Sequence, residues 1–210
     1  MKSEWQMRRD IVDVGRRIYG LNLVAATDGN ISARLRGDRF LFTPAGSCLG
    51  ELRPEELVFV DRTGRVLGAR RHSPTSELPM HMEAYARRPD VGGIVHAHPP
   101  VATACSVAGI SLEPPVLPEV VVNLGGIPTA EYATVSTAQG AAVIRDLIAD
   151  HDAIILDRHG ALTVGRDVYD AFRKLEKVEH CARVVQAAQQ LGGVRTLPPE
   201  EVALLRSMRQ

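Results

Sequence analysis

Ile94-Val95-His96-Ala97-His98-Pro99-Pro100 is the stretch on which the reading of this chain turns. An apolar run delivers two histidines at i and i+2, followed by a proline pair. Residues two apart on a β-strand share a face, so the two imidazoles are expected to converge. Pro99-Pro100 is expected to open a small-residue helix that Gly109 closes. A third histidine, His159, follows another apolar run, Ala153-Ile154-Ile155-Leu156. Three histidines leave a tetrahedral Zn²⁺ one open position, the pattern of a catalytic metal site. A purely structural zinc is disfavoured, because no fourth His or Cys stands near the motif.

Working outward, the flanking segments alternate between strand and helix patterns. Ser3 and Gln6 match a capping box, and Met7, Ile11, Val14 and Ile18 recur at helical spacing, predicting a helix to about Tyr19. Ile31, Ala33 and Leu35 alternate with polar residues. The turn residues Arg36 to Arg39 lead back into Phe40-Leu41-Phe42-Thr43 as a hairpin. Leu57 to Val60 and Arg65 to Leu67 around Asp61-Arg62-Thr63-Gly64 read as a second hairpin. A helix is expected over about Ser76 to Arg87, a short strand over Glu119 to Leu124, and a helix over Thr137 to Ala149. Strands are expected over Ala153 to Leu156 and Ala161 to Val164. A long helix follows over about Val168 to Leu191, capped by Asp167, and a last short helix starts near Pro198-Pro199. Hairpins interleaved with helices predict an α/β or α+β sandwich with a largely antiparallel sheet, as a single domain over residues 1–210.

Composition narrows the function. Lys+Arg and Asp+Glu both total 25, giving a formal net charge of zero. That argues against nucleic-acid or membrane binding by bulk charge, and 4% aromatic content argues against base-stacking platforms. Cys48, Cys105 and Cys181 form neither a CxxC nor an even framework, which fits a reducing, cytoplasmic setting. The charged first ten residues carry no apolar signal core, and no run approaches a membrane span.

Other segments supply candidate partners for the histidines. Glu77 stands at a helix start behind Thr75-Ser76, where free N–H groups favour anions. Asp28-Gly29-Asn30 and Thr43-Pro44-Ala45-Gly46 are loops whose N–H groups are suited to an anion. Taken singly, Glu77 reads as a capping-region carboxylate and the glycines as turn residues. His81 and His180 read as helix residues, His72 and His151 as loop residues.

Taken in order, Gly29-Asn30-Ile31-Ser32, Thr43-Pro44-Ala45-Gly46, Thr75-Ser76-Glu77, His96-Ala97-His98-Pro99 and Arg158-His159-Gly160 resemble the motifs of the class II aldolase and adducin family. The resemblance runs from about Asp10 to Leu191. It implies a three-layer α/β/α sandwich with a central, mainly antiparallel sheet, and a homotetramer with active sites between subunits. It implies Zn²⁺, or Mn²⁺ or Co²⁺, on His96, His98 and His159. Glu77 would be the acid/base and a further ligand in the substrate-free state. Gly29, Asn30, Ala45, Gly46, Thr75 and Ser76 fall at the family's phosphate-binding positions.

The implied activity is reversible cleavage of a short ketose 1-phosphate to dihydroxyacetone phosphate and an aldehyde. Alternatives on the same scaffold are a decarboxylase of a 3-oxo sugar-acid phosphate and an epimerase or dehydratase. An alternative of another class is a non-catalytic assembly module like the adducin head. Thr43 stands where the epimerase branch has lysine, which favours the aldolase-like branch. Glu119 stands where aldolases of the family have a tyrosine reaching in from a neighbouring subunit. Glu119, or Tyr132 in its stead, is therefore the expected second acid/base group. Val135 replaces an aromatic residue of the aldehyde pocket.

Overall fold

The computed structural model describes residues 2–68, 71–134 and 137–208. Helix α1 (Glu4–Gly20) starts at the expected capping box, with Gln6 N–H donating to Ser3 Oγ and Ser3 N–H to Gln6 Oε1. Its Ile11, Val14 and Ile18 are fully buried, as their i, i+3, i+7 spacing dictates. Seven strands follow: β1 (Asn30–Arg34), β2 (Arg39–Phe42), β3 (Val58–Asp61), β4 (Gly93–Ala97), β5 (Thr129–Ala130), β6 (Ala153–Leu156) and β7 (Gly160–Gly165). They form one sheet in the order β3-β2-β1-β4-β7-β6-β5. Every pairing is antiparallel except β5 with β6.

Strand alternation divides the core between the two faces. Ile31, Ala33, Val95 and Ala97 point to one side, with α1, α3 (Pro100–Val107), α4 (Pro118–Leu124) and α7 (Val168–Gln190). Ile94, Leu162 and Val164 point to the other, with α2 (Leu78–Arg87), α5 (Ala138–Ala142) and α6 (Leu147–Asp150). The protein is thus the expected α/β/α sandwich. A final helix, α8 (Pro199–Ser207), packs on α4.

Three local expectations are corrected, and one strand went unexpected. Glu119 to Leu124 is helix, not strand: Pro118 sits at its first turn and Gly125 ends it. Its buried residues Val120, Val121 and Leu124 follow helical spacing, which overrides the β-propensity of the valines. The segment from Thr137 to Ala149 is two short helices, split where Arg145 N–H bonds back three residues to Ala142 O. The return arm of the second hairpin is only a bridge, Val60 to Val66. Strand β5, two residues long, carried no periodic signal.

Candidate active site

The site is built where β1 and β4 pair in antiparallel register, Asn30 opposite His96. His96 lies on the α2 side of the sheet, fully buried, and His98 follows one residue past the end of β4. His98 N–H donates to Leu23 O at 2.9 Å, which fixes the chain as it leaves the sheet. His159 arrives from the tight β6–β7 connection, where Arg158 is left-handed at φ 56° and His159 N–H closes the turn on Leu156 O. Gly160, next in the chain, lets β7 come close to β4: a Cβ there would stand 2.3 Å from Ala97 O and 2.8 Å from His98 Cδ2.

The three rings form a nearly equilateral triangle, with centroids 5.0, 4.6 and 4.8 Å apart. One nitrogen from each lies within 4.8 Å of the others, and the Nε2 atoms of His96 and His98 are 3.1 Å apart. A tetrahedral Zn²⁺ with ~2.0–2.1 Å bonds needs nitrogens about 3.3 Å apart, close to the His96–His98 spacing, and His159 lies near enough for its ring to complete the set. His96 Nδ1–H donates to Ala161 O at 3.0 Å, which leaves Nε2 facing the cluster. Asp28 Oδ2 lies 3.5 Å from His98 Nδ1 and orients that ring similarly. Burial and the neighbouring His96 push His98 below its ordinary value. Burial, then His96, brings His159 to about 4, with Glu77 opposing. Neutral imidazoles are the form that ligates a cation.

Glu77 precedes α2 and points into the triangle. Its Oε2 lies 3.0 Å from His96 Nε2 and accepts from Asn30 Nδ2 at 2.8 Å, and its Oε1 is 3.7 Å from His159 Nε2. Burial opposes its ionisation, but His96, the Asn30 hydrogen bond and His159 outweigh burial and hold the carboxyl well below the usual range. Asn30 Oδ1 is buried and finds no acceptor role among the described residues.

Two pockets meet at Glu77. One, about 230 Å³, is lined by all six residues expected to bind an anion: Gly29, Asn30, Ala45, Gly46, Thr75 and Ser76. Glu77, His98 and His159 open into it, and no Lys or Arg is among its lining residues within the described part of the chain. An anion there would be held by N–H groups and hydroxyls. The other, a narrow crevice of about 20 Å³, lies across Glu77 and His159, with Pro79, Met80, Ala133, Val143 and Leu156 as its apolar wall and Glu131 and Asp157 as its carboxylates. Thr43 does not face the anion pocket. Its Oγ1 accepts from Ile31 N–H at 3.1 Å, a buried tie between β1 and β2.

Glu119 is exposed in the first turn of α4 and Tyr132 is 64% exposed, and neither lines either pocket within one chain. Val135 lies outside the described residues. Sequence reasoning missed Thr27, which lines the anion pocket, and Asp28, the carboxylate behind His98. It also left His81 without a role, although that residue is fully buried with Nδ1 2.7 Å from Ser32 Oγ.

On this sandwich, the buried His96 and the half-buried His98 and His159 form a cluster that could hold a metal ion, with Glu77 and a polar pocket beside it. The chain belongs to the class II aldolase and adducin N-terminal domain family, whose model matches residues 9–186. It is 33% identical over 202 residues to the 5-methylthioribulose-1-phosphate/5-deoxyribulose-1-phosphate aldolase of Rhodospirillum rubrum, covering 95% of this chain and 89% of that one. It is 29% identical over 212 residues to the 3-oxo-tetronate 4-phosphate decarboxylase of Escherichia coli O6:H1, covering 98% of both. Among solved structures, an L-fuculose 1-phosphate aldolase superposes with a TM-score of 0.90 at 29% identity, over 99% of this chain and 97% of that one. No helix among the described residues is long and apolar enough to cross a membrane.

Proposed function

We propose that this chain is a zinc-dependent lyase, with Mn²⁺ or Co²⁺ as substitutes, that interconverts a short ketose 1-phosphate with dihydroxyacetone phosphate and an aldehyde. Substrates of the deoxyribulose, methylthioribulose or fuculose 1-phosphate type fit this reading. The observation that carries it is Glu77, standing between the histidine triangle and the anion pocket. The likeness to the Rhodospirillum rubrum aldolase supports it.

The cation on His96, His98 and His159 would supply Lewis-acid stabilisation of the negative charge that develops on substrate oxygens. Gly29, Asn30, Ala45, Gly46, Thr75 and Ser76 hold the phosphate and so fix the reacting carbons beside Glu77. In the condensation direction Glu77, resting as a carboxylate, removes a proton from C3 of dihydroxyacetone phosphate. The C–H electron pair delocalises onto the C2 oxygen, and C3 then attacks the aldehyde carbon. The new alkoxide takes its proton from a second acid. Cleavage is the reverse. We assign the second acid to Glu119 or Tyr132 of a neighbouring copy in a homotetramer, since in one chain neither lines the pockets at Glu77. The three free cysteines fit a cytoplasmic setting.

A second reading, decarboxylation of a 3-oxo sugar-acid phosphate, is favoured by the full-length likeness to the tetronate enzyme. There the bond to the carboxylate breaks, CO₂ leaves, and a proton reaches the carbon that keeps the electron pair. The deciding experiment measures dihydroxyacetone phosphate release across a panel of ketose 1-phosphates, with CO₂ release from 3-oxo acid phosphates in parallel. Release of CO₂ alone overturns the aldolase reading. Glu77→Gln should slow hydrogen exchange at C3 of dihydroxyacetone phosphate by ~10²–10⁴. Undiminished exchange removes Glu77 from its role.

A further inference from the structure

Helix α3 touches both segments that carry the three histidines, one at each end. It begins directly after His98, at Pro99-Pro100, where proline supplies no N–H and no side-chain cap. The first free donors, Val101 N–H and Ala102 N–H, are met from the middle of α7. Glu179 Oε2 accepts from Val101 at 3.1 Å and from Ala102 at 3.0 Å. Glu179 is only 3% exposed, and a carboxylate that deep is stable only when well paired. Its pairing here is complete: two backbone donors, the positive end of a helix, and Arg183 Nε at 3.0 Å. The start of α3 is therefore tied to α7.

At the other end, Ser106 Oγ donates to Thr103 O at 2.8 Å and accepts from Arg158 N–H at 3.0 Å. Arg158 is the left-handed residue of the β6–β7 turn, immediately before His159. Ser106 stands six residues beyond Pro100, or about 9 Å along the helix axis. The helix thus links the chain just after His98, through its Pro99 cap, to the residue before His159, through the Ser106 hydrogen bond.

We infer that α3 sets the separation of His98 and His159, with Ser106 and Glu179 as positioning residues for the metal site. This rests on the metal reading above. Neither residue touches the ion. Each acts through the backbone that carries a ligand, as outer partners do when they orient ligating side chains.

The test is zinc affinity by competition against a chromophoric chelator, with the visible spectrum of the Co²⁺-loaded protein as a geometric readout. Ser106→Ala removes the acceptor of Arg158 N–H and should weaken zinc ~10–100-fold and alter the Co²⁺ bands. Ser106→Thr keeps a hydroxyl and should restore both. Glu179→Gln, which keeps the shape and loses the charge, should weaken zinc in the same direction and serves if Ser106→Ala does not fold. Wild-type affinity and spectrum in the folded variants overturn the inference, even if their melting temperatures fall. Weakened binding that threonine does not restore overturns it too. Wild-type protein that binds no divalent ion sinks the metal reading and this inference together, whereas wild-type binding with unaltered variants sinks this inference alone.

Discussion

Replacing Gly160 by alanine tests whether the histidine triangle depends on the close approach of β7 to β4. Gly160 has no positive φ to satisfy, so its requirement is spatial. The added Cβ would meet Ala97 O at 2.3 Å and His98 Cδ2 at 2.8 Å, and the first of these is backbone that cannot rotate away. To regain even a tight contact the two strands must part by about 0.7 Å, an overpacking that typically costs ~1–3 kcal/mol. At ~2–4 °C per kcal/mol for a chain of this size, the melting temperature should fall by ~2–12 °C. The larger effect falls on the metal, because ligand distances tolerate only ~0.2 Å. Zinc affinity should drop at least tenfold, read by chelator competition. Gly37→Ala is the control. Gly37 has φ 69° and open space around its Cβ, so it carries only a backbone penalty of ~1–2 kcal/mol and no change at the metal. If Gly160→Ala binds zinc like the wild type, the reasoning from close approach is wrong.

Zinc at 100 times its dissociation constant should stabilise the protein by ~2.7 kcal/mol, and chelation should reverse this. A melting temperature indifferent to both zinc and chelator would refute a site preformed by folding. His81 should make the apoprotein acid-sensitive: burial holds it down at about 3, against 6.5 when free. The unfolded chain then binds the extra proton, so this stability is intact above pH 6.5 and is lost progressively as pH falls toward 3. Between pH 7 and pH 5 the loss from His81 alone is about 2 kcal/mol. Urea titrations of His81→Phe at the two pH values should show a drop smaller by that amount, and an equal drop would show that His81 is not the group responsible.

The histidine pair was legible because strand geometry is local: a period of two places His96 and His98 together whatever the rest of the chain does. Glu77 was legible only as a helix-start carboxylate until the other motifs stood beside it. The reading of Glu119 to Leu124 as strand failed because three consecutive valines are ambiguous in a short run, and packing beneath α7 and α8 decided for helix. β5 escaped because two residues carry no period, and only the edge of β6 makes them a strand.

By itself, the sequence determined most of the elements, the alternation that splits the core between two faces, and three histidines as candidate metal ligands. These follow from periodicity and from side-chain chemistry, whereas the six expected phosphate-binding positions came from the resemblance to the family. Tertiary structure alone decided which way the groups face and what holds them there. His159 meets His96 across 63 residues of chain because β7 pairs with β4. Asn30 reaches Glu77 because β1 is the other neighbour of β4. Glu179, which no sequence pattern singles out, ties the start of α3 to α7, and Ser106 ties its end to the turn before His159. Local periodicity gives a strand its buried face, but which strand becomes its neighbour is settled only when the sheet packs.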